Sequence, residues 1–169
     1  MKKYELTSET KIVFGHILYR IKALSSFGCV SAGDLGGFLE SEKNLSQNGN
    51  AWVSGNAEVY GNAEVYGNAE VSGNARVSGN AWVSGNAEVS KIGSIFWIGA
   101  VGSRNDTATF FRCTDGVIRV TCGCFFGNLD EFAKKVRKTH GDNDHAKVYM
   151  LAIDMAKIRI STEKEKTEE

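Results

Sequence analysis

The sequence of 169 residues contains no proline, carries no excess of either charge and has no long apolar run. Lysine and arginine total 20, as do aspartate and glutamate, so the charge gives no sign of a nucleic-acid-binding surface. No stretch reaches the roughly 18 apolar residues that a membrane helix needs, and residues 1–19 lack the organisation of a signal peptide. These absences predict a cytoplasmic protein of one compact unit. The lack of proline indicates no function by itself.

The chain has four cysteines, and their spacing argues against a metal site. One residue separates Cys122 from Cys124, which is tighter than the spacing of metal-binding pairs, and Cys29 and Cys113 form no second pair. The segment 140–145, His-Gly-Asp-Asn-Asp-His, lacks a further well-spaced ligand pair and is interpreted as a helix end followed by a helix cap. We expect small buried thiols, no metal and no cofactor.

A strict six-residue repeat dominates the middle of the chain. Gly-Asn-Ala occurs seven times between Gly49 and Ala87. A valine follows each copy two positions later, at Val53, Val59, Val65, Val71, Val77, Val83 and Val89. Because one unit cannot bury its apolar side alone, it gains a core only by stacking on the next unit. Valine suits the inside of a short strand, alanine a tight corner, and Gly-Asn a turn.

Written from its valine, the unit Val-x-Gly-Asn-Ala-x resembles the left-handed parallel β-helix of the hexapeptide acyltransferases and their relatives. The resemblance implies that three units form one triangular turn of about 18 residues. Asn50, Asn68 and Asn86 would then stack at one corner, where their side-chain amides can form a hydrogen-bonded ladder.

The six-residue phase extends weakly beyond the repeat. It places Leu35 and Ser41 before the repeat, and Ile95 and Val101 after it, at the position of the valine. About four coils are therefore expected. The fold is predicted to be mainly β, with a left-handed parallel β-helix over residues 35–106.

The flanking segments predict a cap before the repeat and a different structure after it. Residues 1–34 are predicted to form a β-hairpin that turns near Gly15 and covers the end of the solenoid. Residues 107–160 predict a hairpin around Asp115–Gly116 followed by two helices, a ββαα segment. Residues 161–169 are polar and predicted to be disordered.

Both C-terminal helices have recognisable signals. The first is predicted from Leu129 to about Thr139, with Asn128 and Glu131 forming a capping box and Gly141 ending the helix. The second is predicted from about Asp142 to Ile160, capped by Asp142 or Asp144. Its helical spacing predicts an apolar face formed by Val148, Leu151, Met155 and Ile158, broadened by Ile153 and Ile160.

Several stretches resemble a group of small hexapeptide-repeat proteins encoded by bacteriophages and prophages. They are Ile-Gly-Ala-Val-Gly-Ser-Arg-Asn-Asp at 98–106, Cys-Gly-Cys-Phe-Phe-Gly at 122–127 and Lys-Thr-His-Gly-Asp at 138–142, together with the opening Tyr-Glu-Leu-Thr at 4–7 and Ala-Gly-Asp-Leu-Gly-Gly at 32–37. Most members of that group have no assigned function. The resemblance implies a phage accessory protein that acts in the cytoplasm of a host bacterial cell.

Acyl transfer is the commonest activity among proteins with this repeat, and the resemblance to those enzymes would imply a catalytic histidine on or near the coils. The coils contain none. His16 lies in the predicted cap, and His140 and His145 flank a helix connection. We therefore expect no catalytic residue, and an acyltransferase is the least favoured alternative.

A candidate ligand site follows the repeat. Ser103, Arg104, Asn105 and Asp106 carry hydrogen-bonding side chains, and the glycines beside them leave room for a ligand to approach the backbone. Arg104, with Thr107 beside it and Arg119 from a neighbouring strand, would offer a planar fork to a phosphate or carboxylate: the set is Ser103, Arg104, Asn105, Asp106, Thr107 and Arg119. The alternative is that Arg104 pairs with Asp106 or Asp115 in a structural turn.

Two functions remain open at this point, and neither is enzymatic. The first is a phage counter-defence protein that captures a nucleotide-derived bacterial immune signal. The second is an inhibitor that binds and blocks a host defence protein. A tightly bound small ligand would raise the melting temperature, whereas a protein inhibitor would be indifferent to nucleotides.

Outward-facing aromatic residues predict self-association. Tyr66 and Trp82 fall on one face of the predicted coil, and exposed aromatic clusters usually mark an interface. Proteins with this kind of helix resemble one another in forming trimers, so a homotrimer is expected. The predicted interface residues are Tyr60, Tyr66, Trp82 and Phe96, and the alternative is a monomer.

Overall fold

The computed structural model describes residues 2–160, which are mainly β with two helices at the C-terminal end. They divide into two compact units, one ending at Ile92 and the other beginning at Gly93. The predicted disordered tail, 161–169, lies outside the described residues.

The first unit opens with the predicted hairpin. Strands β1 (Tyr4–Val13) and β2 (His16–Ala23) pair in antiparallel fashion. The turn between them uses Phe14 and Gly15, both with positive φ (48° and 85°). Two consecutive positive-φ residues are what a tight two-residue hairpin turn requires. Strand β3 (Leu35–Leu39) adds to β2 and leads the chain into the repeat.

The repeat forms seven two-residue strands, each ending on one of the repeat valines. They are β4 (Trp52–Val53), β5 (Glu58–Val59), β6 (Glu64–Val65), β7 (Glu70–Val71), β8 (Arg76–Val77), β9 (Trp82–Val83) and β10 (Glu88–Val89). Strands three units apart pair in parallel, giving the stacks β4-β7-β10, β5-β8 and β6-β9. The expected register of three units is confirmed.

The roles of the residues within each unit follow the predicted chemistry. All seven repeat valines and the alanines are buried. The glycines of the turns have positive φ, as at Gly55 (63°), whereas the following asparagines do not. Asn50, Asn68 and Asn86 form the predicted ladder, with amide-to-amide distances of 3.2 and 3.5 Å. The interior of the repeat is therefore a column of small and branched side chains.

The predicted phase before the repeat is wrong by two residues. Leu39 lies opposite Val59 and Leu45 opposite Val65, so these leucines, rather than Leu35 and Ser41, precede the valine columns. Leu35 is 55% exposed. The two leucines keep the six-residue spacing, with a short 3-10 turn, Glu42–Asn44, between them. The two extra residues lie between Leu45 and Val53, which are eight positions apart, and the larger apolar side chains enter the core.

The predicted continuation of the coils to residue 106 is also wrong. Strand β11 (Ile95–Val101) pairs in antiparallel fashion with β12 (Asp106–Arg112), so Ile95 and Val101 are not in parallel coils. Both segments are rich in aromatic and β-branched residues over about seven positions, and such residues favour a long strand over two-residue coil strands.

The second unit contains a four-stranded antiparallel sheet in the order β11-β12-β13-β14. Strand β13 (Ile118–Cys122) follows the predicted turn at Asp115–Gly116, which confirms that hairpin. Strand β14 (Phe125–Asn128) was not predicted. The sequence therefore predicted two of the four strands here as a hairpin.

Helix α1 (Leu129–His140) begins with the predicted capping box. Asn128 Oδ1 accepts the N–H of Glu131 and Glu131 Oε2 accepts the N–H of Asn128, both at 2.9 Å. Helix α2 (Asp144–Arg159) is capped by Asn143, whose Oδ1 accepts the N–H of Ala146 at 3.1 Å. The predicted caps for α2, Asp142 and Asp144, are therefore wrong.

The predicted apolar face of α2 is largely the outer one. Val148, Leu151, Met155 and Ile158 are exposed, while the buried face consists of Ala146, Tyr149, Ala152, Ile153 and Ala156. Because α2 is apolar on both sides, the spacing could not decide which side faces the sheet. Small alanines allow close packing there. No helix among residues 2–160 is long and apolar enough to cross a membrane.

Candidate functional site

The predicted ligand residues begin in the turn between β11 and β12. We call residues 102–105 the Arg104 turn. Gly102 (φ 71°) and Asn105 (φ 51°) both adopt left-handed backbone, and the N–H of Asn105 donates to the carbonyl of Gly102 at 3.3 Å. Ser103, Arg104 and Asn105 are exposed. The turn therefore presents its polar side chains outward from the end of a sheet.

The two remaining residues of that stretch start strand β12. Asp106 and Thr107 are half-buried, and Asp106 Oδ1 accepts the N–H of Thr107 at 2.8 Å. Asp106 Oδ2 takes no part in that contact.

Arg119 does not join this group. Its guanidinium donates two parallel hydrogen bonds to Asp115, at 2.9 and 2.7 Å, at the opposite end of the sheet. Arg119 is opposite Phe111 in the sheet, and five residues along β12 separate Phe111 from Asp106, about 17 Å at 3.4 Å per residue. Arg104 and Arg119 therefore cannot both bind the same phosphate or carboxylate group.

The Asp115–Arg119 pair also changes ionisation. Hydrogen bonding from Arg119 lowers the pKa of Asp115 to about 2. This carboxylate already has its partner, so the alternative in which Arg104 pairs with Asp115 is not found in the structure.

Arg104 and Asp106 instead both lie beside Gly123, in the turn between β13 and β14. A Cβ atom at Gly123 would lie 3.0 Å from Arg104 Nη2 and 3.0 Å from Asp106 Oδ2, so these two atoms flank the same point. They form no ion pair with each other, and within residues 93–160 no ion pair of Arg104 is found. Both side chains therefore lie close to Gly123, and a side chain at that position would be crowded by them.

Next to Gly123 in the sequence, Cys122 forms a buried pair with Tyr149. The thiol and the phenol are 3.7 Å apart, and the phenol donates to the carbonyl of Val101 at 3.4 Å. A Cβ at Gly102 would overlap the Tyr149 oxygen, so this close packing requires glycine there. The Arg104 turn is thereby held against α2.

Burial raises the pKa of both groups, that of the Cys122 thiol and that of Tyr149. Both therefore stay protonated and neutral near pH 7. A thiol with a raised pKa is a weak nucleophile, because the thiolate is the reactive form.

The end of α1 reaches the same region. The His140 ring stacks on Tyr149 with centroids 5.8 Å apart and lies 5.6 Å from the ring of His145. Among the described residues, no three His, Cys, Asp or Glu side chains are grouped closely enough to hold a metal ion. The stretches 98–106, 122–127 and 138–142, which are far apart in the sequence, thus converge at one end of the sheet.

The sequence prediction missed Gly123, Cys122, Tyr149 and His140 as members of this site. The signal that could have placed one of them was the Asp115–Gly116 hairpin, since its register sets Ala108 opposite Cys122. Tyr149 and His140 depend on how the helices dock, which local spacing does not specify.

The four predicted interface residues differ in exposure. Tyr60 is buried with Leu18 and Phe38, and its ring lies 5.0 Å from that of His16. Phe96 stacks on Phe110 at 5.7 Å. The rings of Tyr60 and Phe96 therefore pack against residues of their own unit.

Tyr66 is half-buried, and Trp82 is 42% exposed. Both lie on the β6-β9 face, where Glu64 is opposite Trp82.

No protein-family model matches the chain, and a comparison with curated proteins finds no match. Function has to be inferred from the geometry of the Arg104 turn and its neighbours.

Proposed function

We propose that the protein is a non-enzymatic binding protein that captures a small nucleotide-derived ligand at the Arg104 turn. The observation that carries this proposal is an exposed guanidinium that forms no ion pair within residues 93–160. Its planar set of N–H donors is available to a ligand. Arg104 lies on a turn braced by Tyr149 and the sheet, and a braced turn loses little conformational freedom on binding.

The biological setting in this proposal rests on the resemblance to phage and prophage proteins. In that setting the ligand is a nucleotide-derived immune signal of a host bacterium, and the protein sequesters it in the cytoplasm. Acyl transfer is not proposed, since the repeat contains no histidine to act as a general base. The raised pKa of Cys122 likewise favours binding over thiol chemistry.

The proposed scaffold for residues 39–89 is a left-handed parallel β-helix. Two observations support it: the parallel register of three units and the six-residue unit of valine, glycine and alanine. With β3 and Leu45 included, it would contain three coils rather than four.

We also propose a homotrimer that uses Tyr66 and Trp82. Tyr60 and Phe96 are left out, because each packs inside its own unit. Light scattering at micromolar concentration is expected to give three times the chain mass. Trp82→Ala is expected to shift the protein toward monomer, with exposed Ile158→Ala as the control. A wild-type monomer would overturn the proposal.

Thermal melts test the ligand site. The full chain is melted with cyclic dinucleotides and ADP-ribose derivatives, each tested alone. A ligand at 100 times its Kd adds about 2.7 kcal/mol, which raises the melting temperature by about 5 to 11 °C. Arg104→Ala is expected to abolish this rise while changing the ligand-free stability by about 0.5 kcal/mol or less, because the side chain is exposed.

Lys134→Ala, which removes an exposed cation elsewhere in the second unit, is the matched control and should keep the full rise. If no ligand stabilises the wild type and Arg104→Ala melts much earlier, Arg104 is structural and the proposal fails.

A second candidate function is inhibition of a host defence protein. The outer face of α2 favours it, because Leu151 is 63% and Ile158 is 87% exposed. Contiguous apolar surface of this kind marks protein contacts. The expected partner is a protein offering an apolar helix to this face. Loss of inhibition of a purified defence nuclease in Leu151→Glu, with no effect of Arg104→Ala, would support this function over the first.

A further inference from the structure

Helix α1 carries a local excess of positive charge, although the total charge of the chain is balanced. The exposed residues of its last two turns include four cations, Lys134, Lys135, Arg137 and Lys138. At 3.6 residues per turn, these positions surround the side of the helix opposite the buried Phe132 and Val136. Asp130 and Glu131 lie a turn earlier, and residues 132–141 contain no acidic residue. We call the four cations the basic face of α1.

The basic face has no partner within the described residues. None of its four cations forms an ion pair there. Lys138 is a helical neighbour of both Lys134 and Lys135, and like charges three or four residues apart repel and destabilise a helix. The partly negative C-terminal end of the helix favours Arg137 and Lys138, which lie in the last turn. It does not account for the two lysines one turn earlier, so the helix is more basic than its own stability requires.

The composition of the basic face indicates a partner that is bound by charge alone. No apolar or aromatic residue of α1 is exposed. The face therefore has no side chain that could insert among lipid acyl chains or stack on an unpaired base. On the side toward α2, Asp142 and Asp154 line a groove together with Arg137, so the basic face ends at Arg137.

We infer that the basic face of α1 binds the phosphate backbone of double-stranded DNA without reading its sequence. A DNA duplex carries one negative charge for about every 1.7 Å of its axis and keeps its bases stacked inside, so it needs cations and no stacking partner. The major groove of B-form DNA is about 12 Å wide and admits an α-helix, whereas that of A-form RNA is too narrow for side chains. This surface does not include Arg104 and is independent of the proposed function.

Fluorescence anisotropy of the full chain with a labelled DNA duplex tests it. Four phosphate contacts predict a slope of log K against log salt of about −3.6, so the affinity should fall about 150-fold between about 50 and 200 mM salt. Two duplexes of unrelated sequence should bind within about threefold of each other, because phosphate contacts carry no sequence information. A slope near zero, or a strong preference for one sequence, would contradict the inference.

Lys134→Gln and Lys138→Gln are the informative variants, because glutamine removes the charge and still favours a helix. Each is expected to reduce the steepness of the slope by about 0.9. Lys22→Gln, which removes an exposed cation from β2 in the first unit, is the matched control and should leave the slope unchanged. Without DNA, the melting temperature of the two α1 variants at low salt should be unchanged or higher, since repulsion between like charges is reduced.

Other anions are compared with duplex DNA under the same conditions. Single-stranded DNA, duplex RNA, vesicles containing phosphatidylserine and polyglutamate are each tested separately. Tightest binding of duplex DNA, weakened by both α1 variants, supports the inference. Tighter binding of any other probe, or a slope that neither variant changes, overturns it. A lower melting temperature of both variants without DNA also overturns it, because the lysines would then serve the stability of the helix.

Discussion

Asn44→Ala should destabilise the first unit more than any other asparagine substitution in the repeat region. The side chain is fully buried, and its Nδ2 donates to the carbonyls of Gly61 (3.1 Å) and Ala63 (2.9 Å). In the coils that follow, the corresponding glycine and alanine carbonyls accept backbone N–H groups, as Asn50 donates to Gly67. The Asn44 amide thus takes the place of a backbone donor at the start of the stack.

The magnitude follows from the groups that would be left unpaired. Alanine would strand the two carbonyls and the N–H of Ser41, which donates to Asn44 Oδ1 at 2.9 Å. A buried group without a partner costs about 1 to 3 kcal/mol, and water can reach two of these three groups in part, so about 2 to 5 kcal/mol is expected. That corresponds to a melting temperature lower by about 4 to 20 °C.

Urea unfolding followed by circular dichroism measures this loss. Asn62→Ala is the matched control, because Asn62 is exposed and its side-chain contacts lie at the surface: its Nδ2 donates to Asn80 at 3.1 Å and its Oδ1 accepts from Lys43 Nζ at 3.4 Å. It should change stability by about 0.5 kcal/mol or less. If Asn44→Ala loses no more than Asn62→Ala, the buried amide does not stabilise the first coil and the reasoning is refuted.

Three further predictions concern the second unit. Gly102→Ala should cost about 2 to 4 kcal/mol in urea unfolding, because the methyl group would overlap Tyr149 and the residue has φ of 71°; a neutral substitution would contradict the packing described. Ile153→Ala should cost about 2 to 5 kcal/mol and Ile158→Ala less than about 0.5 kcal/mol, and the reverse order would mean that α2 faces the other way. The pKa of Asp115 is lowered to about 2 from an ordinary 3.8, so its pairing stabilises the fold above about pH 4 and is lost as pH falls toward 2. Asp115→Asn should therefore flatten the acid-side fall of the melting temperature, and an unchanged pH profile would exclude this contribution.

The regular middle of the chain was predictable because its period is imposed by stacking. Every valine from Val53 to Val89 falls in register with the valine three units away wherever a partner exists. The ends were not predictable from the same phase. Leu39 takes the place expected for Ser41 in the Val59 column, because Leu45 and Val53 are eight positions apart instead of six, and the local spacing does not mark these two extra residues.

In the second unit, the local sequence pattern predicted caps and turns but not how helix α2 packs. The capping box at Asn128 and the turn at Asp115–Gly116 are local signals, and both were placed correctly. The orientation of α2 was not, because the helix is apolar on two sides and the buried side carries alanines with Tyr149. The candidate site depends on that orientation, so Gly123 and Tyr149 could not be linked to Arg104 from the sequence.

Because strands pair with the strand three units away, the stack can be lengthened or shortened only by three units at a time. Removal of residues 55–72 would take out three repeat units and leave each remaining valine in its own column, so the ends of the stack would be joined as before. Removal of a single unit would instead move each later strand to the neighbouring column and break the match between Leu39 and Val59. Gene variants of this chain would therefore differ in this region by whole sets of three units, since only those changes preserve the columns.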